Sequence, residues 1–368
     1  MKGLRRQYTD ILRDRALAGD VASLLQHGMR FIGTALGPRR GRPLVGPALG
    51  TLVVTYRCDL RCVVCDLPAR AAARRRAGDL ELDTEGLRQV LRDMKAIGTA
   101  GVGFTGGEPM LRPDLPELMR EATRLGLHGH LNTDGFRVAE RVDDLLATGV
   151  RSINLSLDGP DAATHDAARR KAGSFETVLG ALRALREARG TRRGPQITAV
   201  TVLTARNVHR AADVVRVATE AGADRVGVIP VHDFGQGEDA PEPAAVQRAL
   251  DDLADLHARG LVDNSTGYLD LIPRAFRGEP SPLYCYAPYA SVVVDCYGEV
   301  FPCFPLMERN EPVGRIPLVP LWRSKAYAEA RRELESCTAC LWNCHTEMNL
   351  ALPQGRLAPR PGAVEVAS

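Results

Sequence analysis

The chain has 368 residues, too many for one small core and suited to a large domain joined to a smaller one. Hydrophobic residues at 45% and charged residues at 25% exclude wholesale disorder, and a net charge of +3 is too small for a chain whose business is binding nucleic acid. Nine cysteines, an odd count with no secretory signal ahead of them, fit metal sites better than a disulfide framework and point to a cytoplasmic protein.

Residues 1–49 read as a helical extension and linker. Ile11, Leu12, Ala16 and Leu17 form one apolar stripe, and Leu24, Leu25, Met29, Phe31 and Ile32 form another. A Pro/Gly/Arg-rich stretch around Pro38–Pro47 follows. The segment is basic. It suits an anionic partner or a membrane surface, or else helices docked on the main domain with a solvated basic face. No apolar run reaches the ~18 residues of a spanning helix.

From 50 to 235, strand-like and helix-like runs alternate. Thr51–Tyr56, Ala100–Thr105, His128–Thr133, Ser152–Leu157, Ile197–Leu203 and Arg225–Val231 are predicted strands. Between them, Asp83 or Thr84 is expected to cap a helix bearing Leu87, Val90, Leu91, Met94 and Ile97. Pro113 starts the next, Val138–Ala147 and Val208–Ala221 are two more, and Ser174 is expected to cap a helix through Val178, Leu179, Leu182 and Leu185. Six such repeats predict an α/β fold, a partial (β/α)6 barrel of parallel strands, with chemistry on the loops after the strands. Residues 236–280 are expected to be a helical connector, 281–350 a small cysteine-bearing domain, and 351–368 a disordered tail.

Cys58, Cys62 and Cys65 follow the first strand in a C-x3-C-x2-C pattern. Three thiolates on one loop suit a [4Fe–4S] cluster with an open iron. Zinc or buried free thiols are the other readings, and zinc lacks a nearby fourth ligand. After the second strand comes Thr105-Gly106-Gly107-Glu108-Pro109. Its glycines allow close backbone approach to a ligand, and Glu108 offers a carboxylate to an amino group.

Taken together, these residues resemble the radical SAM superfamily over about Leu52–Val231. The resemblance implies that Cys58, Cys62 and Cys65 hold a [4Fe–4S] cluster whose open iron chelates the amino and carboxylate groups of S-adenosylmethionine (SAM). It implies that Gly106, Gly107 and Glu108 meet the SAM amino group. It gives Asn132 and Thr133 third-strand contacts, Ser156 and Asp158 ribose and polar contacts, Arg169 the SAM carboxylate, and Asn207 a further polar contact. One departure is Val64, where an aromatic residue is common. An electron from a flavodoxin- or ferredoxin-like donor would cleave SAM to a 5′-deoxyadenosyl radical that takes hydrogen from an unactivated C–H.

The distal cysteines resemble the SPASM or twitch auxiliary-cluster module. Cys285 and Cys303 bracket a hairpin with Gly298 at its turn, and Cys337, Cys340 and Cys344 follow. The shorter, twitch-like pattern implies one auxiliary [4Fe–4S] cluster on Cys285, Cys303, Cys337 and Cys340, with Cys344 able to displace one of the last pair. A zinc ribbon is the rival reading. Cys296 is expected not to be a ligand; it is either a small buried hydrophobe or a hydrogen donor to a substrate radical.

His232 and Asp233 face the substrate or form a solvated loop pair, and His345 tunes a metal or is structural. The run Arg70–Arg76 meets an anionic substrate or is an exposed loop. The expected reaction is oxidation or epimerisation of a small sugar, aminocyclitol or nucleoside-like molecule. A ribosomal-peptide maturase ranks second, because fifty residues are too few for an N-terminal winged helix. A zinc-structured binding protein is the non-enzymatic alternative.

Overall fold

A computed structural model describes residues 21–192, 194–232 and 239–354. Six parallel strands run in sequence order across one sheet: β1 (Leu49–Thr55), β2 (Gly101–Gly106), β3 (His128–Thr133), β4 (Ser152–Ser156), β5 (Gln196–Leu203) and β6 (Arg225–Pro230). Each matches a predicted strand to within two residues. Strand residues alternate between faces. Leu52, Val54, Phe104, Leu131, Ile153, Leu155 and Ala199 pack against Leu87, Met94, Leu118, Val178 and Val215 of the covering helices in one continuous core. The opposite face is polar along β3 and β4: His130 Nδ1 meets Ser152 Oγ at 2.8 Å, and Asn154 Nδ2 donates to Asn132 Oδ1 at 2.8 Å.

The sheet does not end at β1. The chain returns as β7 (Ser291–Val294), which pairs in parallel with β1, Leu49 opposite Ser291. β8 (Glu299–Phe301) and β9 (Gly314–Arg315) then extend it antiparallel, making nine strands in the order β6-β5-β4-β3-β2-β1-β7-β8-β9. The predicted hairpin is present, and Gly298 at its turn has φ 79°, a conformation that suits glycine. At the far edge the connector contributes more than helices. Between helices Pro243–Ala258 and Thr266–Phe276, Val262 forms a parallel bridge to Val226, and Asn264 Oδ1 accepts from Val228 N at 2.7 Å.

Several local expectations change. Asp83 caps its helix, accepting from Gly86 N. Ser174 does not: Gly173 holds the cap position, and the capping acceptor is Asp166, which receives Gly173 N, Ser174 Oγ and Phe175 N. The Arg70–Arg76 run is helical (Leu67–Ala77). Arg70 is tied to Asp66 at 2.7 Å and to Met307 O, and Arg74 to Glu299 at 2.5 Å. In helix Val21–Leu36 the expected buried stripe instead leaves Leu25, Met29, Phe31 and Ile32 exposed. The helix is tethered by Arg30 Nη1, which donates to the carbonyls of Gly46, Pro47 and Gly98. Residues 351–354 are ordered against the expectation of a tail from 351: Leu352 is buried and Gln354 Oε1 accepts from Tyr284 N at 2.7 Å. The stripe at residues 11–17, Asp233 and residues 355–368 lie outside the described residues. Among the described residues, no helix is long and apolar enough to cross a membrane.

Candidate active site

The cysteine loop leaves the end of β1 and is held by the end of helix Ala162–Arg169 and by a bond of its own. Val63 N donates to Ala168 O at 3.0 Å, Leu60 N to Cys58 Sγ at 3.3 Å, and Arg169 Nη1 lies 3.7 Å from Cys62 Sγ. Cys58, Cys62 and Cys65 are all half-buried free thiols. Burial pushes the Cys58 and Cys65 thiols up to about 12. Ionising them here is costly unless positive charge arrives with the ligand, as an iron cluster provides.

The glycines of the second loop serve this packing. Gly107 N donates to Thr55 O and Glu108 N to Arg57 O, both at 2.9 Å. A Cβ on Gly106 would sit 2.2 Å from Thr55 O, and one on Gly107 the same distance from Arg57 O. The close approach they permit is to the backbone leading into the cysteine loop. Glu108 is buried, and its carboxylate is already engaged. Oε1 accepts from Met110 N at 2.7 Å and Thr133 Oγ1 at 2.8 Å, and Oε2 accepts from Asp134 N at 2.7 Å. Burial raises this carboxyl to about 8.

Asp134, which sequence reasoning passed over, stands beside the cluster loop. One of its carboxylate oxygens, Cys58 Sγ and an oxygen of Asp59 lie within 4.8 Å of one another. Asp134 Oδ1 accepts from Phe136 N, whereas Oδ2 is buried with no hydrogen-bond partner. Arg169 Nε is a second buried atom without a partner. A polar ligand seated at the cysteine loop would meet both, so these residues fit a bound SAM.

Asp158, Arg169 and Asn207 form one lattice. Arg169 Nη2 pairs with Asp158 Oδ2 at 2.6 Å, and Val202 N donates to Asp158 Oδ1 at 2.9 Å. Asn207 donates through Nδ2 to Asp158 O and Val202 O, and accepts on Oδ1 from Thr204 N. The amide expected to face a cofactor is therefore turned wholly into the protein. Thr133 likewise bonds Glu108, while Asn132 is exposed on the polar face and Ser156 is half-buried at the end of β4.

The distal cysteines divide. Burial pushes the thiols of Cys285, Cys303 and Cys340 up, Cys340 to about 11. Cys285, Cys303, Cys337 and Cys340 act on one another electrostatically. Cys285, Cys337 and Cys340 line, with His345, Thr346 and Asn349, one small hollow. Cys344 is exposed on helix Asn343–Ala351. Beside this hollow, His232 lies 5.0 Å from the Trp342 ring, which stacks on Phe304 at 4.4 Å. Burial lowers both His232 and His345 to about 4.

Cys296 departs from the hydrogen-donor reading. It is fully buried among Val53, Tyr56, Val293 and Phe301, and its thiol donates to Glu81 Oε1 at 3.7 Å. A donor must touch its radical, and this thiol is buried and turned to Glu81.

An open parallel barrel with three cysteines after its first strand, and a second group of thiols flanking an appended hairpin, is the framework of an iron–sulfur enzyme of the SAM-cleaving kind. Residues 52–215 match the radical SAM superfamily and residues 285–345 match SPASM, an iron–sulfur cluster-binding domain. The chain belongs to the radical SAM superfamily and carries a SPASM domain. The two domains imply a [4Fe–4S] cluster, SAM and an auxiliary cluster.

Among curated relatives, a PqqA peptide cyclase of Streptomyces rochei is 32% identical over 311 residues, covering 81% of this chain and 83% of that one. A PqqA peptide cyclase of Xanthomonas campestris is 33% identical over 268 residues, covering 70% and 68%. Among solved structures, Streptococcus suis SuiB bound to precursor peptide SuiA superposes with TM-score 0.62 at 16% identity, covering 88% and 79%. The enzyme anSMEcpe with bound AdoMet and a Cp18Cys peptide gives 0.60 at 17%, covering 82% and 88%. These two share the fold.

Proposed function

We propose that this radical SAM enzyme modifies a peptide, forming a cross-link or otherwise changing a residue of it. The observation that carries the reading is the 32% identity to a PqqA peptide cyclase across 81% of this chain. It reverses the order expected from sequence, where a small molecule came first. A winged helix is only one way of holding a peptide. A small polar molecule remains the second reading, favoured by the polar face of His130, Asn132, Ser152 and Asn154.

In this reading Cys58, Cys62 and Cys65 hold the first cluster, and Cys285, Cys303, Cys337 and Cys340 the auxiliary one. Bound SAM and its cluster supply hydrogen-atom abstraction from an unactivated C–H. The chain's own part is positional. Glu108 and Thr133 fix the Asp134 turn, Asp158 holds Arg169 against Cys62, and the polar face of β3 and β4 receives the substrate. A flavodoxin- or ferredoxin-like protein delivers the electron.

The test is turnover by anaerobically reconstituted protein with SAM and reductant, read by mass. Peptides encoded beside the gene are tried alongside sugars, aminocyclitols and nucleosides. A peptide product lighter by two hydrogens, formed with 5′-deoxyadenosine, is expected. Turnover of a small molecule and of no peptide would overturn the reading.

A further inference from the structure

We propose that helix Val21–Leu36 seats the protein on the surface of a bilayer that contains anionic phospholipid. Seven large apolar side chains are exposed among the described residues, and six of them fall between positions 21 and 44. Val21, Leu25, Met29 and Ile32 are 58% to 63% exposed. Their spacing places them in one stripe along the helix, about 16 Å long. Gly28 falls within the stripe, and a Cβ added to it would meet nothing within 4 Å. Phe31 and, beyond the helix, Leu44 add to the exposed apolar surface.

The opposite side of the helix is the one docked on the protein. Thr34 is buried, Gly33 lies against Val45 and Gly37 against Tyr289, and Arg30 Nη1 donates to the carbonyls of Gly46, Pro47 and Gly98 at 2.9 to 3.0 Å. An interfacial helix needs a polar side turned away from the lipid. Here the domain fills that role, so the large side chains are presented outward. Charge selects the occupant. From Val21 to Cys58 the sequence has no Asp or Glu, and Arg39, Arg40 and Arg42, directly after the helix, are exposed. A second copy of the chain offers no opposite charge in this region. The stripe itself has no polar side chain with which to select a particular peptide. An anionic bilayer matches both features: its acyl boundary receives the stripe and its phosphates the guanidinium groups.

The experiment is flotation of the full-length, reconstituted holoprotein with vesicles of phosphatidylcholine, made with and without phosphatidylglycerol. The protein should partition onto the anionic vesicles at least about 10-fold more strongly than onto the neutral ones, and less as salt is raised. Leu25→Ser combined with Met29→Ser should weaken partitioning by about 10- to 100-fold, the effect of two apolar side chains. Arg39→Gln, Arg40→Gln and Arg42→Gln together should cause a comparable loss on anionic vesicles and none on neutral ones. Both variants should keep the wild-type iron content and SAM cleavage, because none of these residues lies at the thiol sites. Failure to float with either vesicle, or variants that float as the wild type does, would overturn the proposal. So would a protein that ignores vesicles but dimerises, or binds an acidic peptide, through Leu25 and Met29.

Discussion

Tyr56 Oη donates to Asp295 Oδ2 at 2.8 Å, joining the residue after β1 to the turn of the β7–β8 hairpin. Asp295 Oδ1 is held by the backbone N–H groups of Tyr297 and Glu299. The cysteine loop and the hairpin of the auxiliary domain therefore share one buried polar clasp. Tyr56→Phe removes the donor and leaves a buried carboxylate oxygen unsatisfied. It should cost about 1–3 kcal/mol in urea denaturation, with native secondary structure retained. No change in midpoint would show that the clasp does not contribute.

Cys296 should prove dispensable for iron. Its thiol is fully buried and bonded to Glu81 Oε1 at 3.7 Å. Cys296→Ala should retain the wild-type iron content and SAM cleavage. Loss of iron would make it a ligand. Loss of turnover with both clusters intact would return it to the substrate.

Cys303 and Cys344 should behave oppositely. Cys303 is surrounded by Cys285, Cys340 and Cys337, whereas Cys344 is exposed. Cys303→Ala should lose about four irons per chain, and Cys344→Ala should keep them. Iron and sulfide analysis decides the matter, and equal losses would contradict the four-thiol grouping.

Gly107→Ala tests the loop packing. A Cβ there meets Arg57 O at 2.2 Å, so the turn or the cysteine loop must shift. Reconstitution should yield a first cluster of low occupancy and lost SAM cleavage, with the auxiliary cluster still loading. Normal cleavage would mean that the two loops yield without consequence.

His165 should make the protein acid-sensitive. Burial, aided by Arg169, lowers it to about 4, and its Nδ1 accepts from Asp158 N at 3.0 Å, so the folded chain holds it neutral. The unfolded chain binds this proton first, near the ordinary value of ~6.5. The contribution is fully present above that value and is lost as pH falls towards 4. His165→Gln should therefore flatten the slope of stability between pH 6.5 and 4 by up to about 1.4 kcal/mol per pH unit. Parallel slopes for the two proteins would refute the assignment.

Local pattern carried much of this molecule. The β-rich runs located all six barrel strands, because each has helix-facing residues such as Leu52, Phe104 and Ile153 at strand spacing. Cysteine spacing marked both thiol groups. What local pattern could not carry was the choice of partner. Nothing in the residues 291–294 says that they pair with Leu49–Leu52. Ser174 looked like a cap because its type suits one, but Asp166, eight residues earlier, has the geometry. The Arg-rich helix Leu67–Ala77 buries only Leu67 and Ala71, so it has no stripe to detect, although its alanines and arginines favour helix. Asp134 is one acidic residue among many. Its closeness to Cys58 and its unpartnered, buried Oδ2 distinguish it.

The parallel pairing of β1 with β7 also bears on how the chain is made. β1 finds β2 soon after both leave the ribosome, but its other edge has no partner until Ser291–Val294 is synthesised. For most of translation the nascent chain thus carries an open, apolar strand edge next to the cysteine loop, the sort of edge that templates misassociation. Chains truncated before residue 291 should aggregate even though every barrel strand is complete. Loading of iron into the first site should likewise be a late event, following synthesis of β7.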